Sequence, residues 1–263
     1  MKNIKIIYLL MVTLLLVFSA CEPIVDELNL SDSTNVEGVQ LVATQSTPGG
    51  NKITLSMVTP GITGYWNYNL GKALTNEVTV VYPIPGKSTF TYVGTLGSQF
   101  FTKTIDVQID KLDTPLDQDW YDLVSNNTAT GKTWVFDGVK DDDKLWWFMS
   151  APNNPDGAMG VWWNAGGQCC PPSDWAGKMH FDLNGAANYN HYETTTSIPT
   201  KGSFVLDVAN KKLIITGSKM LGSAAGNKDG VYSIVTLTQD KMVLYLNNSE
   251  TYGTGWTFVF KPQ

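Results

Sequence analysis

The sequence contains no arginine, and that absence narrows the functions open to it. Arginine supplies the planar, bidentate fork that grips phosphate and carboxylate groups. A chain without it, carrying 18 lysines against 24 acidic residues, is a poor partner for nucleic acid or for an anionic polysaccharide. Histidine and cysteine are also scarce, at two and three residues. Cys169 and Cys170 are neighbours, which excludes a disulfide framework, because adjacent Cα atoms lie ~3.8 Å apart, below the usual bridging range. Free thiols are the simpler expectation, and a strained vicinal disulfide is the alternative in an oxidising compartment. No helix-period pattern runs beyond about three turns, which excludes βαβ units. No apolar run reaches the roughly 20 residues of a membrane-spanning helix. Instead there are 24 glycines, 12 prolines and a heavy aromatic load that includes nine tryptophans, the make-up of a strand-and-turn protein.

The longest apolar run, Ile6 to Phe18, follows Lys2 and Lys5 and ends in Ser19-Ala20-Cys21. A basic head, an apolar middle of this length and small residues at the break read as a secretory signal peptide over residues 1–20. Phe18-Ser19-Ala20-Cys21 also resembles the lipobox of bacterial lipoproteins, which implies cleavage before Cys21 and lipidation of that cysteine. The expected product is an outer-membrane lipoprotein exposed on the cell surface and held to the membrane by acyl chains. Removing Lys2 and Lys5 leaves 16 lysines against 24 acids, a formal charge of −8. Residues 21–35 are polar and acidic after Cys21 and lack aromatics, so they read as a flexible tether. Its Asp26-Glu27 pair resembles the surface-export signals of Bacteroidota lipoproteins.

Residues 36–113 show short strand-like runs broken by turn residues, the pattern of a β-sandwich of about 75 residues. Trp66, the Tyr82-Pro83-Ile84-Pro85-Gly86 corner and the closing Lys103-Thr104-Ile105-Asp106-Val107 resemble a PKD-type Ig-like domain. The resemblance implies a core tryptophan and a spacer role. The aspartate-glycine turn usual after that tryptophan is replaced here by Asn69-Leu70-Gly71-Lys72.

Residues 114–263 begin with a short helix, expected within Asp117 to Asn126, and continue as a series of hairpins. Asn210-Lys211 and Gln239-Asp240-Lys241 are the connections. The whole chain is therefore expected to be all-β: an Ig-like sandwich followed by an antiparallel β-barrel or a second sandwich. Gly131-Lys132-Thr133-Trp134 and the later Tyr232 to Thr238 segment resemble lipocalin-like bacterial domains, which implies a barrel meander, and a β-sandwich stands as the equal alternative.

Five of the nine tryptophans fall between residues 146 and 175: Trp146, Trp147, Trp162, Trp163 and Trp175. Successive side chains of a strand point to opposite faces. Unless both faces are covered, at least one ring of each adjacent pair should therefore look outward. An exposed indole is a platform for a sugar ring, whose axial hydrogens meet the π-cloud. Asn164, Gln168 and Asp174 are the candidate hydrogen-bonding groups that would select among sugars. Trp134 and Trp256, placed singly in strands, read as core.

Catalysis finds little support. Glycoside hydrolysis wants paired carboxylates, yet Glu193 and Glu250 are the only glutamates after residue 113, and no motif singles out Asp119, Asp137, Asp174 or Asp182. His180 and His191 have neither a nucleophile elbow nor metal-ligand spacing beside them. Asp141-Asp142-Asp143 reads as a solvated turn rather than a calcium loop. No cofactor and no metal are expected.

Lipobox, tether, sandwich spacer and aromatic-rich β domain together resemble the surface glycan-binding lipoproteins of SusC/SusD-type uptake systems. The resemblance implies a neutral polysaccharide or oligosaccharide as ligand, such as a glucan or mannan. It also implies a SusC/SusD-like transporter as neighbour. A lipocalin-like carrier of a small apolar ligand, or a purely structural outer-membrane lipoprotein, are the alternatives.

Overall fold

The computed structural model describes residues 38–96, 99–138, 146–164 and 170–263. The leader, Cys21, the tether, Asp141-Asp142-Asp143, Gln168 and Cys169 lie outside them.

Seven strands build the N-terminal sandwich: β1 (Leu41–Gln45), β2 (Lys52–Met57), β3 (Thr63–Asn67), β4 (Lys72–Ala73), β5 (Glu77–Val81), β6 (Gly86–Leu96) and β7 (Gln99–Ile109). They form two antiparallel sheets, ordered β1-β2-β5 and β4-β3-β6-β7. Period-two alternation puts Ile53, Leu55 and Met57 of β2 and Phe90 and Tyr92 of β6 into the core. Trp66 is fully buried, packs edge-on against Tyr92 at 5.2 Å, and donates its indole N–H to the Asn76 carbonyl at 3.0 Å. It is the core residue that the sequence suggests. The turn after it is made by Asn69, whose φ of 70° lies in the left-handed region that asparagine tolerates better than most residues.

The C-terminal half is a closed barrel of eight antiparallel strands. These are β8 (Lys132–Phe136), β11 (Lys178–Asp182), β12 (Asn188–Tyr192), β13 (Thr200–Asp207), β14 (Lys212–Thr216), β15 (Val231–Leu237), β16 (Met242–Leu246) and β17 (Gly255–Pro262). Pairing of Phe260 with Phe136 and of Pro262 with Trp134 joins the last strand to the first. Closure leaves no unpaired edge in the ring and decides the sequence-level choice between barrel and sandwich. Inward positions carry Trp134, Phe136, Phe181, Tyr189, Phe204, Phe258 and Phe260, all buried in one continuous core, so the barrel is filled with side chains.

A seven-residue helix, Gln118–Val124, lies across one mouth of the barrel. Asp117 caps it by accepting from the Asp119 N–H, Trp120 packs on Phe204 of β13 at 6.1 Å, and the Leu123 carbonyl accepts from the Trp134 indole. The chain arrives at this mouth from the sandwich, so the opposite mouth is the distal one.

Near that distal mouth the first barrel strand is interrupted. Val259 of β17 accepts from the Asp137 N–H and donates to the Trp146 carbonyl, both at 2.8 Å, so Asp137 and Trp146 meet the same residue of the ladder. The strand resumes as β9 (Trp147–Ser150), still paired to β17 and followed by the two-residue β10 (Trp163–Asn164). The connection between β9 and β10 folds back over the outer face of the barrel. There the Ala158 carbonyl accepts from the Thr257 hydroxyl at 2.5 Å, and Phe148, Val243 and Val259 form a second buried cluster. All five residues of β16 are consequently buried, because both of its faces are covered.

Candidate functional site

The distal mouth holds an aromatic cleft of about 460 Å³. Four segments supply its walls. β9 and β10 bring Trp147, Met149 and Trp163, and the segment before β11 brings Cys170, Pro171, Pro172 and Ser173. The β14–β15 connection adds Ala224, and the β16–β17 turn and the start of β17 add Tyr252 and Trp256.

Trp147 and Trp256 make the floor. Both are buried, with ring centroids 4.3 Å apart. Trp163 meets Trp256 edge-on at 6.1 Å, and Tyr252 lies 5.0 Å from the same ring. Trp163 is 37% exposed and Tyr252 50%, so these two rings stand between floor and solvent. Register explains their direction. Trp163 pairs with Met149, which pairs with Trp256, so all three side chains share the inward face. Trp162 points the other way and is 63% exposed, continuing an apolar strip with Met159 and Val161. None of the described lining residues carries a charge. The indole N–H groups of Trp147 and Trp256 have no acceptor among the described residues and are shielded from solvent by the surrounding rings. An incoming acceptor reaches them only if the floor adjusts.

The two tryptophan pairs follow different rules. Trp162 and Trp163 both reach the surface. Trp146 and Trp147 are both buried, the case in which both faces of the strand are covered. Alternation does turn Trp146 away from the barrel interior, but Trp175 stacks on it in parallel at 5.7 Å and 5°. Gly138 makes the room: a Cβ there would fall 0.9 Å from Trp146 Cδ1. Trp175 is itself 51% exposed, offering its other face to solvent.

Asp174 does not serve as a surface hydrogen-bonding group. It is buried, and its carboxylate accepts from the Gly222 N–H at 3.0 and 3.1 Å, the Ser223 N–H at 3.4 Å and the Ser223 hydroxyl at 3.3 Å. His191 Nε2 lies 3.9 Å away, beyond hydrogen-bond reach but within range of charge attraction. Burial pushes the Asp174 carboxyl up. The opposing pull of His191 and of the Gly222 and Ser223 donors is larger in sum and holds it below its ordinary value of 3.8. Burial raises the Tyr232 phenol to about 12 and the Tyr189 phenol well above 10.0, so both stay neutral.

Of the expected site residues, Trp147 and Trp163 line the cleft. Asn164 is exposed beside it on β10, and Trp162 and Trp175 flank it. Cys170 is disulfide-bonded, contrary to the simpler expectation of free thiols, and its partner lies outside the described residues. Tyr252, Pro171, Pro172, Ser173 and Ala224 were not singled out by sequence reasoning, and Trp256 was assigned to the core alone. An aromatic in a strand-to-strand turn, as Tyr252 is, was the one available signal. The other carboxylates weighed for catalysis have partners of their own: Asp119 with Lys211 at 2.6 Å, Asp137 with Lys261 at 3.7 Å, and Asp182 with Asn188 at 2.7 Å. Among the described residues no three His, Cys, Asp or Glu side chains group closely enough to hold a metal ion. No described helix is long and apolar enough to cross a membrane. Neither the protein-family models nor the curated proteins contain a match to this chain, so the geometry of the cleft carries the functional argument.

Proposed function

We propose that this chain is a lipid-anchored surface protein that binds a neutral polysaccharide or oligosaccharide at the distal cleft without transforming it. One observation carries the reading: two half-exposed rings, Trp163 and Tyr252, stand over a floor of Trp147 and Trp256 in a cleft with no charged side chain in its described lining. Stacking on indole and phenol faces suits the apolar faces of pyranose rings, and the missing charge suits an uncharged ligand. Position supports it further. The cleft opens at the barrel mouth opposite the one where the chain enters from the sandwich. With the lipobox-like Cys21 and the tether at the other terminus, the binding face is held away from the membrane. Modest affinity per site gains avidity from many copies on one surface, and a SusC/SusD-like transporter is the neighbour that such a role implies.

The test is native affinity electrophoresis of the purified protein through gels containing neutral or acidic polysaccharides. Retardation by a neutral glycan, lost in Trp163→Ala and Tyr252→Ala variants that remain folded, is the expected result. Free migration through every neutral glycan removes the reading.

A specific observation favours a second reading. Apart from the Ser173 and Tyr252 hydroxyls and the indole N–H groups, the lining side chains are apolar, which also suits a small uncharged apolar ligand. Since the barrel interior is filled, such a ligand would occupy the cleft rather than the barrel. Quenching of tryptophan fluorescence by an apolar probe, without retention by any glycan, selects this alternative.

A further inference from the structure

We infer that Asp174 is a positioning residue for the cleft, holding two of its walls at their working separation; this rests on the binding reading above. The walls belong to different loops. Cys170 to Ser173 precede β11, whereas Ala224 sits on a 3-10 turn, Ser223–Ala225, in the connection from β14 to β15. Among the described residues, the hydrogen bonds between these two loops all end on the Asp174 carboxylate. The short turn has no cap from its own first residue, Gly222, and Asp174 supplies that cap from the other loop.

The neighbouring geometry leaves little room for a substitute. Gly222 has φ 84°, and a Cβ on it would lie 2.5 Å from Phe258 Cε1, so the turn cannot carry its own capping side chain there. Gly177, closing the Asp174 turn through its N–H to the Asp174 carbonyl at 2.9 Å, has Leu221 against it: an added Cβ would be 2.6 Å from Leu221 Cδ2. Gly177 of one loop thus lies directly against the Leu221 side chain of the other, and one carboxylate sets how they meet. A negative oxygen shared among several N–H and O–H donors makes charge-assisted bonds, roughly twice as strong as neutral ones, which suits a tie between otherwise separate loops. Asp174 also sits next to Trp175 and Ser173. Its placement thus fixes both the exposed indole stacked on Trp146 and the polar group of the cleft wall.

Asp174→Asn tests this in the purified chain. The amide keeps one acceptor but presents N–H donors toward the donors of Ser223. The control is Asp182→Asn, the same change at another carboxylate near a histidine; its partners are Asn184, Asn188 and His180. Three measurements are made: retention by the polysaccharide that retards the wild type, amide exchange at Ser223, and thermal unfolding.

The expected result is faster exchange at Ser223 and about tenfold weaker retention for Asp174→Asn, with a cooperative melt preserved, while Asp182→Asn binds as wild type. Wild-type retention despite faster exchange at Ser223 overturns the inference. If Asp174→Asn does not fold, Ser223→Ala carries the test: about a two- to threefold loss supports it, and none overturns it. If no polysaccharide retains the wild type, the binding reading fails by itself. Acrylamide quenching of tryptophan then decides positioning: greater quenching in Asp174→Asn than in Asp182→Asn supports it, and equal quenching overturns it.

Discussion

In the sandwich, Trp66, Tyr82, Phe90, Tyr92 and Phe101 turn inward, and Phe100 at 48% exposure is the exception. At the distal mouth of the barrel, Trp162, Trp163, Trp175 and Tyr252 remain between 37% and 63% exposed. Both regions come from the same kind of sequence, short alternating strands with aromatics. The contrast shows that aromatic content alone says nothing about use. The sandwich spends its rings on cohesion: Trp66 has an edge-on partner and a satisfied N–H. The rim has more rings than its core accepts. Interior space is already taken by residues such as Phe258 and Phe260, so further aromatics brought by the β9–β10 excursion and the loop before β11 lie on top of the core. A cluster of exposed rings is costly in water and points to a ligand or partner that covers it.

Four measurements sharpen or break that contrast. The largest effect is expected from Trp66→Ala, which should cost the sandwich ~3–5 kcal/mol in denaturant unfolding and leave cleft binding intact below the transition. Loss of binding in the folded protein would mean that the two regions are coupled. Next comes Gly138→Ala, whose methyl group falls onto the Trp146 ring. Displacing that buried ring should cost ~1–3 kcal/mol and weaken the near-UV circular dichroism of the Trp146–Trp175 stack. An unchanged spectrum would show that the stack does not depend on the space at Gly138.

Trp163→Ala should behave in the opposite way. Stability should change by less than ~0.5 kcal/mol, as for exposed positions, while glycan affinity falls about tenfold. A stability loss comparable to that of Trp66→Ala would move Trp163 from platform to core. The smallest effect concerns pH. Asp174 is held below its ordinary 3.8, so its stabilisation of the rim is present above pH 3.8 and is lost as pH falls through its lower folded-state value. In the sandwich, Asp106 is also lowered, chiefly by Lys87, but it is exposed and salt screens it. Acid titration in 1 M salt, about a 3 Å screening length, should therefore retain a transition at the rim, read from tryptophan fluorescence. A transition abolished by salt would place the sensitive group at the surface.

Much of the fold was legible without coordinates. Lys52–Met57, Lys212–Thr216 and Met242–Leu246 are strands, as the run-and-turn pattern implies, because β-branched and aromatic residues between turn formers leave the backbone few other solutions. The hairpin at Asn210-Lys211 joins β13 and β14 as read, and the helix after Asp117 is present with that aspartate as its cap. β10 is shorter than its apolar surroundings suggest: only Trp163 and Asn164 pair, since the segment before them is committed to covering the outer face of the barrel.

The site was legible only in outline. Its neighbourhood followed from the density of tryptophan between residues 146 and 175. Its membership did not, because burial depends on what lies across from a ring, and that partner is distant in sequence. Trp146 is covered by Trp175 through a vacancy at Gly138, and Trp163 meets Trp256 from the far end of the chain. Asp174 shows the same limit from the polar side. Its position between prolines and tryptophan suggested a surface contact, whereas the donors that bury it lie 48 and 49 residues later. Composition and local pattern by themselves determined an all-β chain with a net negative charge and an aromatic-rich second half, since these properties follow from residues one turn or one strand apart. Tertiary structure alone decided that the ring closes into a barrel, which rings stay in water, and which carboxylate holds the cleft together. Each of those outcomes is set by contacts between segments that meet only when the chain is folded.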